Sequence, residues 1–288
     1  MALDWRDLGD TVLHEAVRLN SLGSVHFYGR QAIYNGSINT RNSTGATALF
    51  LAAEEGHLEI VRYLLCTCGA AVDSTNEEST TPLIQATWEG HIEIVRFLVS
   101  IGGANVHATN SRGYTALIVA SQQGYLDIAR FLVRHGGARV DPNALSLERD
   151  VHMDASPALC NAVRDGHFDI VQYLVREAGA SVNNTNTASM QGITAMMIAS
   201  EFGQLDILRF LVSQRGNIDS VDVDGRSALH RASYAGHLEV VRFLVGEHGV
   251  ATDIADRNGD TEIIMAASNS HFEVVRYLAI NRTASAQV

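Results

Sequence analysis

The chain contains no lysine; all 21 of its basic residues are arginine. Against 32 acidic residues they leave a net charge of −11. That balance argues against nucleic acid or anionic lipid as a partner, since both are bound through clustered positive charge. Codon bias is one reading of the missing lysine; the other is that a lysine-free surface offers no side-chain amine to which ubiquitin could be joined. Cysteine is scarce: Cys66, Cys68 and Cys160 make an odd count, and "CTC" lacks the spacing of a redox or zinc pair. Core thiols in a reducing compartment are predicted. No apolar run approaches the roughly 18–20 residues of a membrane-spanning helix. The opening "MALDWRDLGD" has no basic-then-apolar leader. Together these absences predict a soluble intracellular protein, cytoplasmic with the nucleus left open, that binds neither membrane nor nucleic acid; a monomer is expected.

What the chain has in abundance is one sentence, repeated. "EGHLEIVRYL" begins at Glu55, "EGHIEIVRFL" at Glu89, "DGHFDIVQYL" at Asp165 and "AGHLEVVRFL" at Ala235. Aligned on the glycine, the anchors are Gly56, Gly90, Gly124, Gly166, Gly203 and Gly236, then Ser270, spaced by 34, 34, 42, 37, 33 and 34 residues. Seven residues before each anchor stands an apolar residue, from Leu49 to Ile263, and Thr or Ser lies two before that in six of the seven units. A worn copy opens with "GDTVLHEA" at Gly9 and carries Asn20 in the anchor position, which makes eight units. A period near 33 with two helices per unit predicts an all-α solenoid.

Each unit has one physical reading. Thr caps a short, alanine-rich first helix. The glycine ends that helix where a tight turn costs glycine least. "HLEIVRYLL" forms a second helix with a wide apolar stripe on Leu58, Ile60, Val61, Leu64 and Leu65. A second glycine and a polar turn lead to the next Thr. Helices this short are unstable alone, so stacking is what folds the chain.

These residues resemble the ankyrin repeat family, whose pattern is roughly "DxxGxTPLHxAAxxGHxxVVxxLLxxGAxVN". "TPLIQATWEGHIEIVRFLV" at Thr81 and "GRSALHRASYAGHLEVVRFLV" at Gly225 match it best. The resemblance implies stacked helix-turn-helix units with hairpin-like loops across one domain, residues 1–288. The repeats fall at about 7–40, 42–75, 76–109, 110–141, 152–185, 189–221, 222–255 and 256–282, with an insertion at about 139–156. The fourth full unit departs from the pattern, with Pro157 in place of Thr.

No catalytic constellation is legible, and no metal or cofactor is called for. Successive "GH" histidines lie about one helix-packing distance apart, ~8–10 Å, too far to share a zinc ion. Their expected role is hydrogen bonding to loop backbone. The Glu–Arg pairs of the second helix, such as Glu59 with Arg62, are surface i,i+3 pairs.

If the repeated letters hold the rod together, the unrepeated ones carry specificity. In the ankyrin family the variable positions are the hairpin tips and the exposed side of the first helix, which line one inner surface. Here Glu54, Glu55, Glu77, Glu78 and Glu89 gather around Trp88. They are either a solvated charged face or an acidic groove with an aromatic floor for a basic segment. Arg112, Tyr114, Ile193, Phe202 and Tyr234 complete the candidate partner-binding set, because exposed aromatics are common interface anchors. The resemblance also implies possible hydroxylation at Asn183 and His107, in the hairpins "GASVN" and "GGANVH".

The favoured expectation is a non-catalytic scaffold or adaptor that grips a protein partner. The alternative is a substrate receptor of a ubiquitin ligase. It is suggested by the missing lysine and by "GSVHFYG" at Gly23, a short likeness to a loop of Fem-type ligase receptors. An enzyme is the weakest of the three readings.

Overall fold

The computed structural model describes residues 11–140, 158–184 and 192–285. Among these there are sixteen α-helices and no strand, apart from an isolated bridge between Val221 and Ser227. The helices come in pairs, and in all but one pair the first is the shorter; α14 is shorter than α13 because its last turn, Phe243–Glu247, is π-helical. α1 (Val12–Arg18) is followed by α2 (Leu22–Tyr34), α3 (Ala48–Glu54) by α4 (Leu58–Cys66), α5 (Pro82–Trp88) by α6 (Ile92–Ser100), and α7 (Ala116–Gln123) by α8 (Leu126–Arg134). Then come α9 (Ala158–Arg164), α10 (Phe168–Arg176), α11 (Ala195–Glu201), α12 (Leu205–Ser213), α13 (Ala228–Ala235), α14 (Leu238–Arg242), α15 (Glu262–Ser268) and α16 (Phe272–Ser285). The solenoid of paired helices is the architecture that the period predicts. The inserted segment falls largely outside the described residues, as do Gly9 and most of the smaller excursion around Asn186.

The chain forms two compact units. The first takes Met1–Arg139 with Asp150–Ala155, the second Val140–Arg149 with Ser156–Val288. In the first unit α3 packs on α5 and α5 on α7; in the second α9 packs on α11, α11 on α13 and α13 on α15.

Local chemistry sets each helix start. The hydroxyls of Thr47, Thr81, Thr115, Thr194 and Ser227 accept the amide of the third helical residue at 3.2–3.4 Å. The repeat glycine is required twice over. Gly56 sits at φ 80°, and a Cβ there would lie 2.8 Å from the ring of His91 in the following repeat. That ring is the next link, because His91 Nε2 bonds to the Glu54 carbonyl at 3.0 Å. His237 and His271 reach the Glu201 and Tyr234 carbonyls in the same way, at 2.9 Å. In these three repeats the histidine ties the repeat to the end of the previous repeat's first helix rather than to its own loop. His57 Nε2, by contrast, is buried without a hydrogen-bond partner among the described residues. Asn20 and Ser270, the two non-glycine anchors, also take positive φ, 48° and 63°. Their alignment with the glycines is thereby confirmed.

A second chain of contacts explains why arginine fills the second helices. The guanidinium of Arg62 lies over the Phe97 ring of the next repeat at 5.1 Å, that of Arg176 over Phe210 at 5.0 Å, and that of Arg209 over Phe243 at 4.5 Å. A planar, weakly hydrated cation stacks in this way better than an ammonium does. The i,i+3 pairs with Glu59, Glu93 and Glu239 are present as well, at 3.3–3.5 Å.

Two expectations need correction. "GSVHFYG" is helix rather than loop: Ser21 caps α2, and Val25, Gly29 and Ala32 form its buried face, with Gly29 close against Tyr63 and Cys68. The likeness to a receptor loop accordingly loses its structural basis. Cys66 is exposed, at the end of α4, and only Cys68 and Cys160 are buried thiols.

Candidate functional site

The acidic cluster begins with the turns that hold it. In the first unit each hairpin is closed by an asparagine. Asn76 Oδ1 accepts the amides of Glu78 and Thr80 at 3.0 and 2.9 Å, and Asn110 Oδ1 accepts those of Arg112 and Tyr114 at 3.0 and 2.9 Å. The closed turns project Glu77, Glu78 and Arg112 as exposed side chains. The hairpins are also tied to each other, through Ser111 N donating to Glu78 O at 2.8 Å.

Between these turns and the end of α5 lies a cavity of about 190 Å³ lined by Glu78, Thr80, Ile84, Gln85, Trp88, Glu89, Asn110, Arg112 and Tyr114. Five of the residues picked from the sequence therefore meet in one place: Glu78, Trp88, Glu89, Arg112 and Tyr114. Trp88 ends α5 and leaves 38% of its surface open, so its ring supplies an apolar wall to an otherwise polar pocket. Glu54, at the end of α3, joins from the preceding repeat. The Gln85 amide nitrogen lies 3.3 Å from Glu54 Oε1 and 3.2 Å from Glu89 Oε1, so one neutral amide bridges two carboxylates. Burial and the neighbouring Glu55 push the Glu54 carboxyl above its ordinary range, Arg18 partly opposes this, and Glu89 adds to it. Glu55 and Glu77 are exposed and stand outside the cavity.

The second unit has a cavity of about 180 Å³ lined by Glu201, Arg226, His230, Arg231, Tyr234 and Met265. Counted back from the repeat glycine, its walls match those of the first. Ten residues before Gly236 stands Arg226 where Thr80 precedes Gly90; six before, His230 for Ile84; five before, Arg231 for Gln85; two before, Tyr234 for Trp88. Two neutral positions have become guanidiniums, and both are engaged. Arg231 donates to Glu201 at 2.6 Å and to the buried Asp222 at 2.7 Å, and Arg226 to the buried Asp256 at 3.0 Å. The turn residue changes with them. Asp222 and Asp256 close their hairpins as Asn76 does, each Oδ1 taking two backbone amides, while Oδ2 receives the arginine.

Tyr234 thus lines the second cavity, whereas Phe202, 47% exposed, and the half-buried Ile193 stand outside both of these cavities. The position five before the glycine, Gln85 and Arg231, escapes the sequence reading because it lies a turn inside the first helix. The hydroxylation candidates sit in exposed turns. Asn183 Oδ1 accepts the Asn217 amide at 2.7 Å and its Nδ2 donates to the Arg215 carbonyl at 3.2 Å, and the amide of His107 donates to Asn105 Oδ1 at 3.0 Å.

No helix among the described residues is long and apolar enough to cross a membrane. No curated protein matches the sequence. The family description "Ankyrin repeats (3 copies)" matches residues 13–110, 64–146, 101–186, 141–222, 159–256 and 196–287 in overlapping sets. With its paired helices, capped starts and glycine–histidine links, the chain belongs to the ankyrin repeat family.

Proposed function

We propose that the chain is a non-catalytic scaffold or adaptor whose first unit grips a basic segment of a protein partner. Ankyrin repeats are protein-interaction modules, and the observation that favours this face is the Trp88 cavity with its surrounding carboxylates. Glu54 and Glu89 share a neutral amide, and no ion pair joins Glu55, Glu77 or Glu78 to a basic residue among the described residues. An incoming Lys or Arg meets an excess of negative charge beside an aromatic wall: Glu54, Glu78 and Glu89 against Arg112 in the lining and Arg18 near Glu54. Cation–π contact in such a setting is worth about 0.5–2 kcal/mol. Complementary charge would also speed the encounter.

The test reverses Glu54, Glu55, Glu77, Glu78 and Glu89 to Lys and compares partners captured from cell extract, with circular dichroism to confirm the fold. Loss of partners carrying basic segments is expected. An unchanged partner set from the folded variant would remove the proposal.

The ubiquitin-ligase reading keeps one supporting observation, the complete lack of lysine. Co-purification with a cullin scaffold tests it, and absence of the cullin from a capture that retains other partners would exclude it.

A further inference from the structure

We infer that the Trp88 cavity selects arginine over lysine, its occupant being a guanidinium seated where the second unit carries its own. This rests on the basic-segment reading and narrows it to one side-chain chemistry.

The argument comes from the register shared by the two cavities. In the second unit, the position five before the glycine sends a guanidinium across the repeat boundary to the carboxylate that ends the previous first helix, Arg231 to Glu201. In the first unit the same two positions are Gln85 and Glu54, and the side chains are again in contact, at 3.3 Å. The backbone framework is equivalent, the carboxylate is present, and an amide stands where the cation is found elsewhere. At the position ten before the glycine the substitution is of the same kind, Thr80 for Arg226. Relative to the second cavity, the first keeps the carboxylate that ends the previous helix, Glu54 for Glu201. It has lost both arginines together with the two turn aspartates they meet, which are Asn76 and Asn110 here. Glu78 and Glu89 add two carboxylates to its lining and Arg112 one cation, so acids still exceed cations.

Geometry then separates the two natural cations. Gln85 Nε2 reaches Glu54 and Glu89 at once. A guanidinium has a planar fork of donors that can do the same with full charge, while an ammonium is a point donor that is costlier to strip of water. Its flat face also suits Trp88, and this chain already stacks guanidinium on ring at Arg62 over Phe97 and Arg209 over Phe243. A binding arginine displaces the Gln85 amide, takes over its two carboxylates and covers the indole.

The experiment titrates the full chain with N-acetyl-arginine methylamide and, separately, N-acetyl-lysine methylamide, following the indole N–H signal of Trp88 by NMR. Trp5 is the one other tryptophan, so a Trp88→Phe variant assigns the signal. The arginine compound is expected to shift the signal with an affinity at least ~3-fold tighter than the lysine compound, about 0.7 kcal/mol by RT ln 3. Gln85→Arg, which supplies the guanidinium from within, is expected to abolish the response, while Gln85→Ala retains it. Equal affinities, or an arginine response that survives Gln85→Arg in a folded protein, would overturn the inference. Those outcomes leave the basic-segment reading standing, because that reading falls on the charge-reversal capture alone.

Discussion

The two units are built from one repeat and differ chiefly in how they dispose of negative charge. On the first, the hairpin turns close with neutral asparagines, and Glu54 and Glu89, at the ends of α3 and α5, share the Gln85 amide as a hydrogen-bond donor. On the second, the turns close with Asp222 and Asp256, and two arginines of one repeat pair with Asp222 in that repeat, with Asp256 in the next and with Glu201 in the one before. Self-neutralisation makes the second unit's inner face part of its own structure. On the first unit the matching positions are Gln85 and Thr80, so its carboxylates lack those arginine partners, which is the basis of the proposed basic-segment site. The repeat thus fixes where side chains stand, and the exchange of amide for acid or guanidinium sets how much of the local charge is paired within the chain.

The comparison can be broken most forcefully at a core position, where the framework rather than the charge is tested. Six residues before the anchor, Ile84 is 2% exposed in the first unit, whereas Ile264 in the last repeat of the second is 43% exposed. Ile84→Ala is expected to cost about 2–5 kcal/mol in urea unfolding, and Ile264→Ala less than ~1 kcal/mol, since little apolar surface and no enclosed cavity are at stake there. Equal losses would mean that the register assigned to the last repeat is wrong.

Next in size is the charge ladder itself. Arg231→Met strands the buried Asp222 carboxylate and frees Glu201. Removing one partner of a fully buried pair costs 3–5 kcal/mol, and water still reaches Arg231 and Glu201, so roughly 2–3 kcal/mol is expected. Gln85→Met at the matching site of the first unit removes only an amide bridge between exposed or half-buried acids. Its cost is expected below ~1 kcal/mol, relief of carboxylate desolvation offsetting the lost hydrogen bonds. If both variants destabilise alike, the arginines contribute packing rather than neutralisation.

How much of this was legible in the letters follows from the same contrast. The helices, their threonine caps and the anchor at Asn20 could be read because each is a local event repeated in register. Trp88, Glu78, Glu89, Arg112 and Tyr114 could be gathered because they stand at hairpin tips and helix ends, where the repeat leaves sequence free. Gln85 and Arg231 could not, since their meaning lies in a partner some thirty residues away, Glu54 or Glu201, across a repeat boundary. The stacking of Arg62 over Phe97 was hidden for the same reason, and the helical state of "GSVHFYG" because a borrowed likeness outweighed its spaced apolar face. Composition does not reveal such pairings; superposing the offsets does.

The smallest effect concerns a buried acid on the second unit that no arginine reaches among the described residues. Glu262 opens α15 where the first unit has Pro82, and it is 1% exposed. Its Oε2 accepts the Asp253 amide at 3.0 Å, while Oε1 has no hydrogen-bond partner and lies 3.7 Å from His230 Nδ1. The His230 ring accepts from the Ser227 amide at Nδ1, at 3.2 Å, and its Nε2 lies 2.9 Å from the Ile254 carbonyl. Burial therefore dominates and raises the Glu262 pKa, the Asp253 charge adding to it while the His230 ring and the backbone amides of Glu262 and Asp253 partly oppose. A folded-state pKa above the unfolded one means that folding takes up a proton. The stabilisation is complete below the ordinary glutamate value of about 4.3 and is lost as pH rises through the elevated folded value. Asp256 has the opposite sign: burial pushes it up, but the Asp260 amide, Arg226 and the Asn258 amide hold it below its ordinary range, so its contribution is lost on acidification. Glu262→Gln removes the first dependence and leaves the second. It is expected to gain up to ~1 kcal/mol at neutral pH, by ending the burial of an incompletely bonded carboxylate, and to leave acid stability unchanged. A variant whose unfolding midpoint follows the parent's across pH 4–8 would show that Glu262 is already satisfied as a carboxylate, and the second unit would then hold a buried acid that it neutralises without arginine.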